Sequence, residues 1–184
     1  FDVLSVSLGL YLKLRVRIDH PDNLIDDLSD IKIDWDPITS EDEGQLKNPR
    51  YNLVTLSAAF LASQCKKKLP MMHIDCHVDV PIGCGLGSSG ASIIAGVVLA
   101  NEACKIGLSR EEMLQYAIVI EGFGDNVAAS MFGGFTICPT PLELTQYMQG
   151  AAAYLKDIRN NGAYMEVFKH CPELQLLKSF DVLN

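Results

Sequence analysis

A strand of period two that runs through a glycine-rich bend straight into a small-residue helix limits this chain more than anything else in it. From Met71 to Val80, the side chains of Ile74, Cys76, Val78 and Val80 face one way and those of His73, Asp75, His77 and Asp79 the other. Such alternation predicts a strand with one dry and one wet face, the habit of antiparallel sheets rather than of strands buried on both sides. Pro81-Ile82-Gly83-Cys84-Gly85-Leu86-Gly87-Ser88-Ser89-Gly90-Ala91-Ser92 follows, and the small, apolar run from Ser88 to Lys105 predicts a buried helix. The glycines let bare backbone approach a ligand. The first turn of the helix adds unpaired N–H groups and the positive end of a dipole, which together favour an anion. Of the two serines at the helix start, one can cap or bind phosphate and the other can reach a divalent cation.

Several phosphate-binding loops fit such a bend. Gly85-Leu86-Gly87-Ser88-Ser89-Gly90 formally fits the dinucleotide fingerprint G-x-G-x-x-G. That fingerprint follows a parallel strand buried on both faces, whereas this strand alternates, Pro81 interrupts the approach, and no acidic residue ends a second strand about 20 residues on. A Walker loop needs Gly-Lys-Ser/Thr, and this bend has no lysine. A plain glycine turn ahead of a core helix is the remaining structural alternative.

Around this centre the pattern is mixed. Every even position from Leu4 to Ile18 is apolar, which predicts one long half-buried strand bent near Gly9. Ile31, Ile33 and Trp35 alternate again, 37–49 reads as a polar acidic loop, and Asn52 to Lys67 reads as a helix. Ser109 with Glu112 forms a capping box that opens a helix to about Ile120. Asp125 to Phe132 predicts a short helix ended by Gly133-Gly134, and Phe135 to Cys138 a strand. Beyond Pro139, helices are expected over 142–159 and 172–183.

Composition excludes several function classes. A net charge of -8 leaves no excess of Lys/Arg to neutralise nucleic-acid phosphates, and Lys66-Lys67-Lys68 reads as a solvated helix end. The six cysteines contain no C-x-x-C pair, so neither a zinc site nor a disulfide framework is indicated, and free thiols point to the cytoplasm. No apolar run is long enough to span a membrane. His73, Asp75, His77 and Asp79 invite a metal reading, but residues four apart on a strand are about 13 Å apart, so a polar outer face is the simpler one.

Pro81 to Ser92 closely resembles the signature loop P-x-x-x-G-L-G-S-S-[AG]-A of the galactokinase, homoserine kinase, mevalonate kinase and phosphomevalonate kinase (GHMP) superfamily. Within it, two stretches resemble homoserine kinases. Phe1-Asp2-Val3-Leu4 is similar to the end of their first motif. Glu121-Gly122-Phe123-Gly124-Asp125-Asn126-Val127-Ala128-Ala129 with Phe132-Gly133-Gly134-Phe135 is similar to E-G-H-x-D-N-V-A-x-x-x-x-G-G-F. Asn52-Leu53-Val54 resembles the helix start beside the nucleotide base.

The resemblance covers about residues 1–138. It implies an α+β fold with a mostly antiparallel sheet and packed helices, of the ribosomal protein S5 domain 2-like type. Residues 1–138 would form the N-terminal ATP-binding domain and 139–184 an unmatched helical tail, with the C-terminal domain of the family outside this sequence. It implies ATP-dependent phosphorylation of L-homoserine to O-phospho-L-homoserine, a step of threonine biosynthesis, with Mg²⁺ as cofactor and a homodimer as the assembly. Another superfamily kinase, such as one acting on mevalonate, and an inactive nucleotide-binding protein are the alternatives. The loop residues Pro81, Gly83, Gly85, Leu86, Gly87, Ser88, Ser89 and Gly90, with Asn52, would bind ATP. Ser89, with Ser88 second, and Glu121 would hold the metal. Asp125 and Asn126 would be catalytic, Asp125 accepting the hydroxyl proton or orienting the acceptor. Asp2, with Asp125, would bind the substrate. Phe123 stands where the family has histidine, and a phenyl ring cannot donate the hydrogen bond that imidazole offers.

Overall fold

The computed structural model describes residues 3–37, 43–138, 143–148, 174 and 176. The expected long first strand is two strands. β1 (Val3–Val6) and β2 (Leu12–Arg17) are separated by an irregular stretch around Gly9. They also enter different sheets. β2 joins a three-stranded sheet of order β2-β4-β3, with β3 spanning Lys32–Asp36 and β4 His73–Val78. β1 forms a two-stranded antiparallel ribbon with β5 (Phe135–Cys138), in which Leu4 faces Ile137 and Val6 faces Phe135. Period two shows which side of a strand is dry; it does not choose the partner.

β4 is the central strand, antiparallel to β2 and parallel to β3. Its alternation therefore reports one wet face correctly, but it marks an antiparallel neighbour on only one side. The parallel pairing requires a crossover, and the chain makes it through α1 (Glu43–Leu46), inside the expected loop, and α2 (Leu53–Gln64).

Ten of the twelve residues of α2 are buried, which makes it the central helix. Asn52 caps it, accepting from Val54 N at 2.9 Å and donating to Leu46 O at 2.7 Å. α3 (Ser88–Ala103) packs closely against it because Gly96 faces the main chain of α2. A Cβ there would overlap the Val54 carbonyl oxygen and lie 2.9 Å from Ser57 Cβ. α4 (Arg110–Glu121) opens with the expected Ser109/Glu112 capping box, and its Tyr116 ring meets Phe60 of α2 edge-on at 6.5 Å. α5 (Asp125–Phe132) follows after a three-residue link.

Ile33, Trp35, Ile74 and Cys76 of the sheet share one apolar core with α2, α3 and α4. Of the expected tail helices, 143–148 is helical and places Leu144 fully inside that core. Leu174 is also buried and donates its N–H to Gln64 Oε1 at 2.8 Å; it and Leu176 are not helical, and the rest of both expectations lies outside the described residues.

Candidate active site

The bend between β4 and α3 holds Gly83, Gly85 and Gly87 at φ of 73, 73 and 80°. These are left-handed angles that favour glycine. A Cβ at Gly83 or Gly85 would meet no atom within 4 Å, so the backbone there is bare on its outer side. Gly87 is the N-cap of α3 and offers no side-chain cap, which leaves the helix start available to an anion. The Ser92 hydroxyl turns inward to the Ser88 carbonyl, donating at 2.9 Å.

Two other elements converge on this helix start. Ser89 Oγ donates to Glu121 Oε1, at the end of α4, at 2.9 Å. Burial pushes the Glu121 carboxyl above its ordinary value of 4.5, the Ser89 hydroxyl pulls the other way, and the charge of Asp125 pushes it up again. Among the described residues no cation pairs with Glu121. The second element is α5. A Cβ on Gly87 would lie 3.4 Å from Asn126 Oδ1, and one on Gly90 only 2.8 Å from Asn126 Cβ. Two helix N-termini therefore abut, with Asp125 on the first turn of α5 accepting from Asn126 N at 2.7 Å.

A cavity of about 1250 Å³ opens beside them, lined by Gly85, Leu86, Gly87, Asp125 and Asn126 and continuing along apolar side chains of β1, β2 and α3. Ser130 lines it too, one turn beyond Asn126. Sequence reasoning passed over this serine, although the four-residue spacing on one helix puts it on the same face.

The other sequence candidates fall as follows. Pro81 is exposed on the approach to the loop. Asn52 is 1% exposed and its amide is engaged in capping α2. Asp2 lies outside the described residues. Phe123 is 65% exposed in the link between α4 and α5. On the outer sheet face, β3 brings Asp34 to His73 and Asp75, with ligand atoms within 4.8 Å of one another. Arg17 Nη2 approaches His73 Nδ1 at 2.8 Å, and a guanidinium only donates. The ring proton is thereby assigned to Nε2, 2.8 Å from Asp34 Oδ2, so the cluster is a hydrogen-bonded charge network.

Residues 52–134 match the family described as GHMP kinases N terminal domain. The chain carries a GHMP kinase N-terminal domain. Homoserine kinase of Saccharomyces cerevisiae is 38% identical over 142 residues, covering 73% of this chain and 39% of the yeast protein. The crystal structure of homoserine kinase from Cytophaga hutchinsonii superposes with a TM-score of 0.51 at 26% identity, covering 70% of this chain and 39% of that one. L. major mevalonate kinase in complex with R-mevalonate has the same fold, with a TM-score of 0.56 at 17% identity over 77% of this chain and 43% of that one. The chain spans about two fifths of the length of the curated relatives it matches first. No helix among the described residues is long and apolar enough to cross a membrane. The GHMP match encloses the glycine bend, Glu121 and the start of α5, and so contains every convergent group named above.

Proposed function

We propose that this chain supplies the nucleotide-binding half of a homoserine kinase, which transfers the γ-phosphoryl group of ATP to the side-chain hydroxyl of L-homoserine. The observation that carries the reading is the convergence of the uncapped start of α3 with the Ser89–Glu121 pair and with Asp125. Phosphoryl transfer needs positioning and charge neutralisation more than covalent chemistry from the protein. In this reading the backbone of Gly85 to Gly90 cradles the phosphates. The acceptor oxygen forms its bond to the γ-phosphorus, the bond to the bridging oxygen breaks, and ADP leaves. Asp125 takes the hydroxyl proton or orients the hydroxyl that loses it.

The donor set beside the loop suits magnesium. It is a carboxylate and a hydroxyl, both hard oxygens, and the half-buried Glu121 has no cation beside it among the described residues. Ser89 and Glu121 would hold the ion, which neutralises phosphate charge when bound. A cytoplasmic setting, suited to reduced thiols, belongs to the same reading.

ADP release from Mg·ATP with L-homoserine, set against release with R-mevalonate, tests the assignment. Turnover of mevalonate alone would move the chain to another branch of the superfamily. A second reading has its own observation, the exposed Phe123 where the motif has histidine. A nucleotide-binding protein without phosphotransfer would bind ATP, turn over neither alcohol, and stay inert in Phe123→His.

A further inference from the structure

A buried thiol lies directly beneath the start of α5. Cys138, the last residue of β5, is fully buried. A Cβ built on Gly124 would lie 2.6 Å from Cys138 Sγ and 3.4 Å from Cys138 Cβ, with Ile118 Cδ1 at 3.6 Å. Gly124 is the N-cap of α5, with φ of -87° and ψ of -13°. Any residue adopts those angles. Glycine is therefore needed here for space, because the sulfur occupies the volume a side chain would fill. Asp125 is the next residue. Beyond it, Asn126 presses on Gly87 and Gly90, so the contacts run from β5 through Gly124 to the nucleotide loop. Cys138 also pairs with Val3 at the start of β1, which ties it to the ribbon edging the cavity. Burial, with Asp125 nearby, pushes the thiol up to about 11, so the group stays uncharged at neutral pH.

We propose that Cys138 is a positioning residue for the acceptor side of the site, its sulfur forming the seat on which Gly124 rests and so setting where Asp125 and Asn126 stand against the loop. The proposal rests on the reading of Asp125 as the acceptor-side carboxylate. A methyl group on Gly124 lifts the first turn of α5 off its seat, and a displacement near 1 Å at a reacting group costs about 100-fold. Removing the sulfur makes room for that methyl group, so the two changes compensate.

The test compares the full chain with Gly124→Ala, Cys138→Ala and the double variant. Three quantities are measured: affinity for Mg·ATP, affinity for L-homoserine in the presence of a non-hydrolysable ATP analogue, and the amide chemical shifts of Gly87 and Asn126. Gly124→Ala should weaken L-homoserine binding by about tenfold or more and leave nucleotide affinity within about twofold, since only α5 moves. Adding Cys138→Ala should recover most of the loss and return both amide shifts toward wild type. A double variant no better than Gly124→Ala in binding and shifts overturns the proposal. So does Gly124→Ala leaving both unchanged. Failure of the wild-type chain to bind L-homoserine would sink the functional reading instead; the amide shifts of the three variants then decide separately whether Cys138 seats α5.

Discussion

Replacing Gly90 by alanine sets helix propensity against packing, and the structure decides which wins. In an exposed helix interior the change stabilises by about 1 kcal/mol. Gly90 is buried, and the new Cβ would lie 2.8 Å from Asn126 Cβ, 3.1 Å from its carbonyl carbon and 3.3 Å from its oxygen. No rotamer change moves those three atoms away. Carbon–carbon contact is comfortable at about 3.5–4.0 Å, so the first turn of α5 must retreat by about 1 Å. Overpacking costs about 1–3 kcal/mol, which leaves a net loss of about 0–2 kcal/mol after the propensity gain. The melting temperature should fall by only a few degrees. The site loses more, because about 1 Å of misplacement costs about 100-fold in rate, or about 2.7 kcal/mol of barrier. Urea titration followed by circular dichroism, beside ADP release with L-homoserine at saturating Mg·ATP, separates the two effects. Turnover within about threefold of wild type would refute the reasoning, as would a rate loss that only tracks unfolding. Gly96→Ala is the contrasting case. It strikes the Val54 carbonyl of α2 rather than α5, so it should lower stability and spare the properties of whatever fraction stays folded.

Ser89→Ala removes the hydroxyl that meets Glu121 and should weaken Mg·ATP binding about tenfold or more by calorimetry, with little change in melting temperature; equal loss of both would assign Ser89 to structure alone. Asp125→Asn should lower turnover by about 10²–10⁴-fold with nucleotide affinity unchanged, and a matching loss of ATP binding would contradict an acceptor-side role. For Glu121 the folded protein holds its proton more tightly than the unfolded chain does. Its contribution to stability is therefore present at low pH, declines as pH rises from about 4.5 toward the raised folded value, and is flat above it. Glu121→Gln should remove that part of the pH slope in urea titrations, and an unchanged slope would sink the assignment.

How far the sequence could be read depends on how local each signal is. The glycine bend, the wet and dry faces of β4, the Ser109/Glu112 box and the extent of α5 follow from residues within a few positions of one another. Backbone sterics, side-chain period and capping settle such features before any tertiary contact forms. For the same reason the residues of the glycine bend were legible as candidates, whereas Asp125, the first residue of α5, was a candidate through the resemblance of 121–135 to the homoserine kinase motif.

The pairings were not legible. The alternation from Leu4 to Ile18 is the same whether it serves one sheet or two, and only packing sends β1 to β5 and β2 to β4. The parallel approach of β3 to β4 likewise goes with the crossover through α1 and α2, which the alternation of Ile31, Ile33 and Trp35 does not reveal. Ser89 meets Glu121 across 32 positions of chain, and Cys138 reaches Gly124 from a strand after the helix that Gly124 opens. Residues near one another in the chain settle conformation; which of them share a volume is settled when helices and strands compete for the same space. The chain alone thus determined the glycine bend and the helix start it leads into, and the folded packing brought Glu121 and Asp125 beside them.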